Sequence, residues 1–249
     1  MIERLRHTVL ALALLLVAWP AHADQPLLAD LTGHLVAITT GFTGTSVVLF
    51  GTTDGPGDIV AIVRGPERDA VVWQKRHLAG MWINGPNVTF AATPSYYAVF
   101  SNRKLDDIAP SNAQTLSQIG IANLRISPRD PATKPDEAAT FRAALIADQK
   151  AKGLFAEYPG SVSFLGDRLF RATIDFPANV PTGNYLVEVL LIRDGRVIAG
   201  QTTPLVISES GVNADLNEFA MDNAALYGFA AVAGAALLGW LASLPFRSA

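Results

Sequence analysis

Asp194 and Gly195 stand between two apolar runs, "YLVEVLLI" and "VIAG", each ending in an arginine on the turn side. A two-residue connection of type I′ needs positive φ at both central positions, which Asp and Gly tolerate. The pair therefore dictates an antiparallel hairpin, and the hairpin sets the fold class of what surrounds it.

Similar runs recur along the chain. Period-two alternation or brief apolar runs predict strands over 35–39, 46–51, 58–64, 70–74, 81–83, 88–91 and 97–101. They resume over 161–164, 169–176, 184–193, 196–200 and 203–208. "TDGPGD", "RGPERD" and "NGPN" read as turns between them. Helical spacing predicts helices over Ser111–Ile119 and Asp136–Lys152, the second stopped by Gly153. The expected fold is mainly β, an immunoglobulin-like sandwich with a helical insertion at about 104–153. Tyr185 sits where a tyrosine corner would bond the crossing loop "PANVPTGN". Two tandem sandwiches are the alternative, the second a thin one.

Composition matters at the two ends. Hydrophobic residues make up 50% of the chain and charged residues 16%, below the roughly 25% charge usual in soluble domains. "MIERLRHTVLALALLLVAWPAHA" has a basic start, a short apolar run and an Ala-His-Ala site, the pattern of a signal peptide over 1–23. Ala224–Leu244 carries no charge and would extend roughly 31 Å as a helix, enough for a bilayer core. Acidic residues precede it and Arg247 follows, which favours a cytoplasmic tail over 245–249. The expected plan is an exported domain over 24–211, a linker over 212–223 and a single transmembrane helix over 224–244. Ala231, Gly234, Ala235 and Gly239 are the candidate intramembrane packing residues, since small side chains let helices approach closely in lipid. Lipid around 224–244, and another inner-membrane protein or a second copy, are the expected partners.

The motifs of chemistry are sparse. Cysteine is absent, so thiol catalysis and Cys-based metal sites are excluded. His34 and His77 follow the signal segment without HxH or HExxH spacing, so no metal or cofactor is expected. No GxSxG occurs, and the glycine-rich "GFTGTS" and "GTTDGPGD" lack a phosphate loop's Lys-Ser/Thr ending. The net charge of −3 without basic runs argues against nucleic acid. Arg64, Arg68, Lys75 and Arg76 interleave with Trp73 and Trp82 in "RGPERDAVVWQKRHLAGMWINGP". Trp and Arg dominate interface energetics, which makes these six the candidate protein-contact residues; the competing expectation places one Trp in the core and solvates the charges on an edge strand.

"HLVAITTGFTGTSVVLFGTT", "AGMWINGPNVTF", "PSYYAVFS" and "LYGFAAVAGAALLGWLA" together resemble a family of alphaproteobacterial transmembrane proteins, over about residue 30 to the C-terminus. The resemblance implies an export signal, an exported domain and one C-terminal span, with genes beside permeases of the sulfite-exporter type. It implies no catalytic residue. The expected function is a non-enzymatic periplasmic module, an accessory subunit of an inner-membrane protein such as a permease. A ligand- or envelope-polymer-binding module is the alternative and would need Trp73, Trp82, Tyr96 or Tyr97 gathered in one concavity. A hydrolase without a recognisable motif is the third.

Overall fold

The computed structural model describes residues 25–78, 80–210 and the helical positions 228, 229, 232, 233, 235, 236 and 240. The expected signal peptide, linker and cytoplasmic tail lie outside the described residues. The strands, in chain order, are β1 (Leu27–Leu31), β2 (Leu35–Ile38), β3 (Gly44–Thr53), β4 (Asp58–Arg64), β5 (Glu67–Leu78), β6 (Met81–Pro94) and β7 (Tyr97–Ser101). Then come β8 (Ser127–Pro128), β9 (Phe155–Pro159), β10 (Ser163–Leu165), β11 (Leu169–Pro177), β12 (Gly183–Arg193) and β13 (Arg196–Glu209).

Two sheets form the body, in the orders β1-β3-β11-β10 and β2-β13-β12-β4-β7-β9. The alternation of "LFRATIDF" puts Phe170, Ala172, Ile174 and Phe176 inward, all buried. Tyr185, Val187 and Val189 do the same from β12. Rings from both sheets meet there, with Phe176 at 5.4 Å from Tyr96 and 5.8 Å from Tyr185. Burying such faces against each other is the main favourable term for a sandwich of this kind.

The centre of the six-stranded sheet is buried on both faces, which explains why β4 and β7 read as unbroken apolar runs. The inserted segment covers the outer face. It contains helices Leu105–Ile108 and Ser111–Leu116, a 3-10 turn at Ile121–Asn123 and the long helix Pro135–Ala151. The Tyr97 hydroxyl pins it to the sheet, donating to the Gln118 carbonyl at 2.7 Å and accepting from the Gly120 N–H at 2.9 Å. At the end of the long helix, Gly153 takes φ +70° and the Leu154 N–H returns to the Gln149 carbonyl at 2.9 Å, turning the chain into β9.

The hairpin at Asp194-Gly195 forms, with φ +50° and +71° and Arg193 opposite Arg196. The Tyr185 hydroxyl donates to the Pro181 carbonyl at 2.5 Å, closing the crossing loop.

Three expectations need correction. The tandem arrangement is not built: β11 pairs with β3 and β12 with β4, so strands from before and after the insertion share both sheets. "NGPN" is not a turn but lies inside β6, because the two strands it was expected to separate are one. The transmembrane helix expected over 224–244 is not found. Among the described residues no helix is long and apolar enough to cross a membrane. A bilayer core requires about 20 consecutive helical residues, and most of 224–244 lies outside the described residues.

Candidate functional site

β5 and β6 leave the body as a long antiparallel ribbon. Register runs from Glu67 opposite Pro94 to Leu78 opposite Met81, with Gly80 in the connection at φ +82°. Two irregularities shape it. Opposite Asp69, Ala91 and Ala92 share the place of one residue, and Ala92 takes φ +47°. Opposite Gln74, Gly85 and Pro86 do the same. Pro86 has no N–H to give a ladder, so a bulge is where a strand can hold it. A Cβ at Gly85 beside it would stand 3.0 Å from the Gln74 carbonyl oxygen and from the Arg76 side chain, so a larger residue would crowd the bulge.

The root of this arm belongs to the body. Val88 and Phe90 are buried beneath it, and Ala70 and Val72 are partly buried. β8 pairs with it at Phe90 and Ala91, and the Arg129 N–H donates to the Thr89 carbonyl at 2.8 Å. Arg129 also ion-pairs with Asp69. On the other side Arg68 donates to the Thr182 carbonyl at 2.8 Å.

Beyond Trp73 and Asn87 both faces of the ribbon meet solvent. Leu78, Met81 and Trp82 keep 62%, 66% and 70% of their surface exposed. Cross-strand pairing puts Trp73, Lys75 with Asn84, and His77 with Trp82 on one face. Arg76 with Ile83, and Leu78 with Met81, occupy the other. The Lys75 ammonium donates to Asn84 Oδ1 at 2.5 Å, and the His77 and Trp82 rings meet edge to face at 5.2 Å. No Asp or Glu occurs from Ala70 through Leu105.

A family model described as "Putative transmembrane protein (Alph_Pro_TM)" matches residues 26–248. The chain belongs to this family. The match runs from the first strand of the sandwich past the arm and almost to the C-terminus. No curated protein matches the chain.

In this member of the family the six contact candidates divide. Trp73, Lys75, Arg76 and Trp82 share the exposed arm. Arg68 braces its root, and Arg64 stays in the sandwich, ion-paired with Glu188 at 2.5 Å and donating to the Ser117 carbonyl. Tyr96 and Tyr97 are core residues, 2% and 0% exposed, and burial pushes both phenols well above their ordinary pKa. The four rings therefore do not gather in one concavity. Of the small-residue candidates, Ala235 is helical and exposed, while Ala231, Gly234 and Gly239 lie outside the described residues. Sequence reasoning missed Leu78, Met81 and Ile83. Their signal was "LAGM", two apolar strand ends around a glycine, masked by the stronger turn residues of "NGPN".

The body also has a cavity of about 400 Å³ between the insertion and β7–β9, lined in part by Gln114, Asn123, Glu157 and Tyr158. Its polar groups hold backbone in place. Glu157 accepts from the Ile121 N–H at 2.6 Å, Asn123 donates to the Ile119 carbonyl at 2.6 Å, and Gln114 to that of Ala109 at 2.9 Å. Among the described residues no three His, Asp or Glu side chains group as metal ligands. His34 pairs with Asp30 at 2.9 Å near the surface.

Proposed function

We propose that this protein is a non-enzymatic interaction module of the bacterial envelope, an accessory to an inner-membrane protein such as a permease. The observation that carries the reading is the arm. A two-stranded ribbon exposed on both faces has little stability of its own, yet here it is braced at its root and tipped with Trp82, Met81 and Leu78. Large apolar side chains held away from any core are contact residues in waiting. Trp beside Lys and Arg is the composition that concentrates interface energy. The arm is small, and a small contact suffices where both molecules are confined to one membrane, because confinement raises effective concentration.

Affinity capture of the full-length chain from native membranes tests this. One integral membrane protein should dominate the capture. Its recovery should fall at least about tenfold when Leu78, Met81, Trp82 and Ile83 are all changed to Ser, a loss of hot-spot size. Capture that enriches no membrane protein overturns the proposal, and so does undiminished recovery by the variant.

A further inference from the structure

We infer that the tip of the arm seats in the headgroup layer of an anionic lipid bilayer. The inference rests on the reading of the arm as a contact element: the seated tip holds the arm at the membrane where its partner protein lies, so that losing the seat also lowers capture of that partner.

Two observations select lipid over a protein groove. The first is the distribution of apolar groups. A groove takes one face of a ribbon, whereas at this tip Trp82 lies on one face and Leu78, Met81 and Ile83 on the other. An end that is apolar all round suits a medium that surrounds it. The reach fits too: the four residues from Ile83 back to Gly80 extend about 13 Å at about 3.3 Å per residue. Interfacial segments bury roughly 5–10 Å into the headgroup and acyl boundary. The unpaired strand edges of the ribbon keep it at that depth, since backbone groups without partners are costly in hydrocarbon.

The second is charge. Lys75 and Arg76 stand three and two residues behind Leu78, with His77 between. With no carboxylate from Ala70 through Leu105, the arm beyond its root offers cations alone to phosphate groups. Trp73 and Trp82 flank Lys75 on a shared face, and indole rings favour the headgroup level.

Because the chain has no cysteine, a single Met81→Cys carries an environment-sensitive fluorophore to the tip without other changes. Arg196→Cys, exposed in the hairpin at the opposite end of the sheet, is the reference site. Both full-length labelled chains are mixed with vesicles of phosphatidylcholine, alone or with one third phosphatidylglycerol. With anionic vesicles, the probe at 81 should shift to the blue and be quenched by lipids bearing a nitroxide just below the headgroup. The probe at 196 should stay open to aqueous iodide. Lys75→Glu with Arg76→Glu should weaken the response at 81 at least about tenfold in vesicle concentration, since each cation near an anionic surface contributes substantially. A probe at 81 as open to iodide as that at 196 overturns the inference, and so does an equal response in neutral vesicles. If position 81 is shielded in native membranes but not by pure lipid, a protein covers the tip. The lipid assignment then fails while the interaction module stands.

Discussion

In the sandwich, Leu49, Phe170 and Ile174 have no solvent contact, whereas on the arm Leu78, Met81 and Trp82 retain 62%, 66% and 70% of theirs. The residue types are alike and the surroundings opposite. Burying a large apolar side chain contributes about 1.5–3 kcal/mol, so the body gains stability that the arm forgoes. Yet the arm is no loose end. Arg68, Arg129 and β8 tie its root to the body. The difference teaches where to look for function: stability is concentrated where the two sheets face each other, and contact chemistry where a braced ribbon leaves them.

The largest effect should come from the centre of the body. The Phe170 ring lies across Gly51 of the neighbouring strand, filling the place a side chain would take there. Phe170→Ala should cost about 3–5 kcal/mol, read as a lower midpoint in urea denaturation. A cost below 1 kcal/mol would mean that the sandwich core is not the source of stability, and the contrast would fail.

A smaller loss should separate the insertion from the sheet that it covers. Tyr97→Phe removes the donor to the Gln118 carbonyl and the acceptor for the Gly120 N–H. Leaving two buried backbone groups unpaired should cost about 1–3 kcal/mol. Hydrogen exchange should quicken at Gly120 before it does in β12, showing that the cover loosens before the sandwich opens.

Asp58 marks a third level. It opens β4 and accepts hydrogen bonds from Arg103 and from Asn102 at 2.9 Å. The Arg103 guanidinium, with the Asn102 amide, holds its carboxyl below the ordinary value of 3.8 despite some desolvation. A carboxyl depressed in the folded state stabilises above its unfolded pKa, and that stability is lost as pH falls from 3.8 through the lower folded value. Arg103 is half exposed, so solvent screening keeps the contribution below about 1 kcal/mol. Asp58→Asn should flatten the acid limb of a plot of melting temperature against pH; an unchanged limb would remove this pair from the account.

How much of this was legible in sequence depends on how local the cause is. The Asp194-Gly195 hairpin and the Tyr185 corner depend on neighbours a few residues apart, and both were readable. Strands β4 and β7 coincide with their expected bounds because short apolar runs end sharply at turns. β9 was missed, since "FAEYP" shows no alternation and pairs in parallel with a distant strand. The arm was half legible. Its Trp and cations stood out, but a bulge and a turn use the same Gly, Pro and Asn, and only the register tells them apart. The C-terminal run misled because an uncharged stretch of sufficient length satisfies the criterion for a span on sequence alone, while no helix among the described residues reaches that length.

The smallest effect is the one that decides whether the arm is separate from the body. Trp82 touches His77 across the ribbon and lies far along it from Phe90 and Val88, where the arm enters the core. Trp82→Ala should therefore change folding stability by no more than about 0.5 kcal/mol, the range of surface substitutions, although it removes the largest side chain of the tip. The same urea titration that registers Phe170→Ala should barely move. A loss above 2 kcal/mol would mean that the tip packs on another part of the chain, and the arm would then be a strut of the fold. An unchanged midpoint, with capture of the membrane partner reduced, leaves contact as the reason for an exposed tryptophan at the end of a braced ribbon.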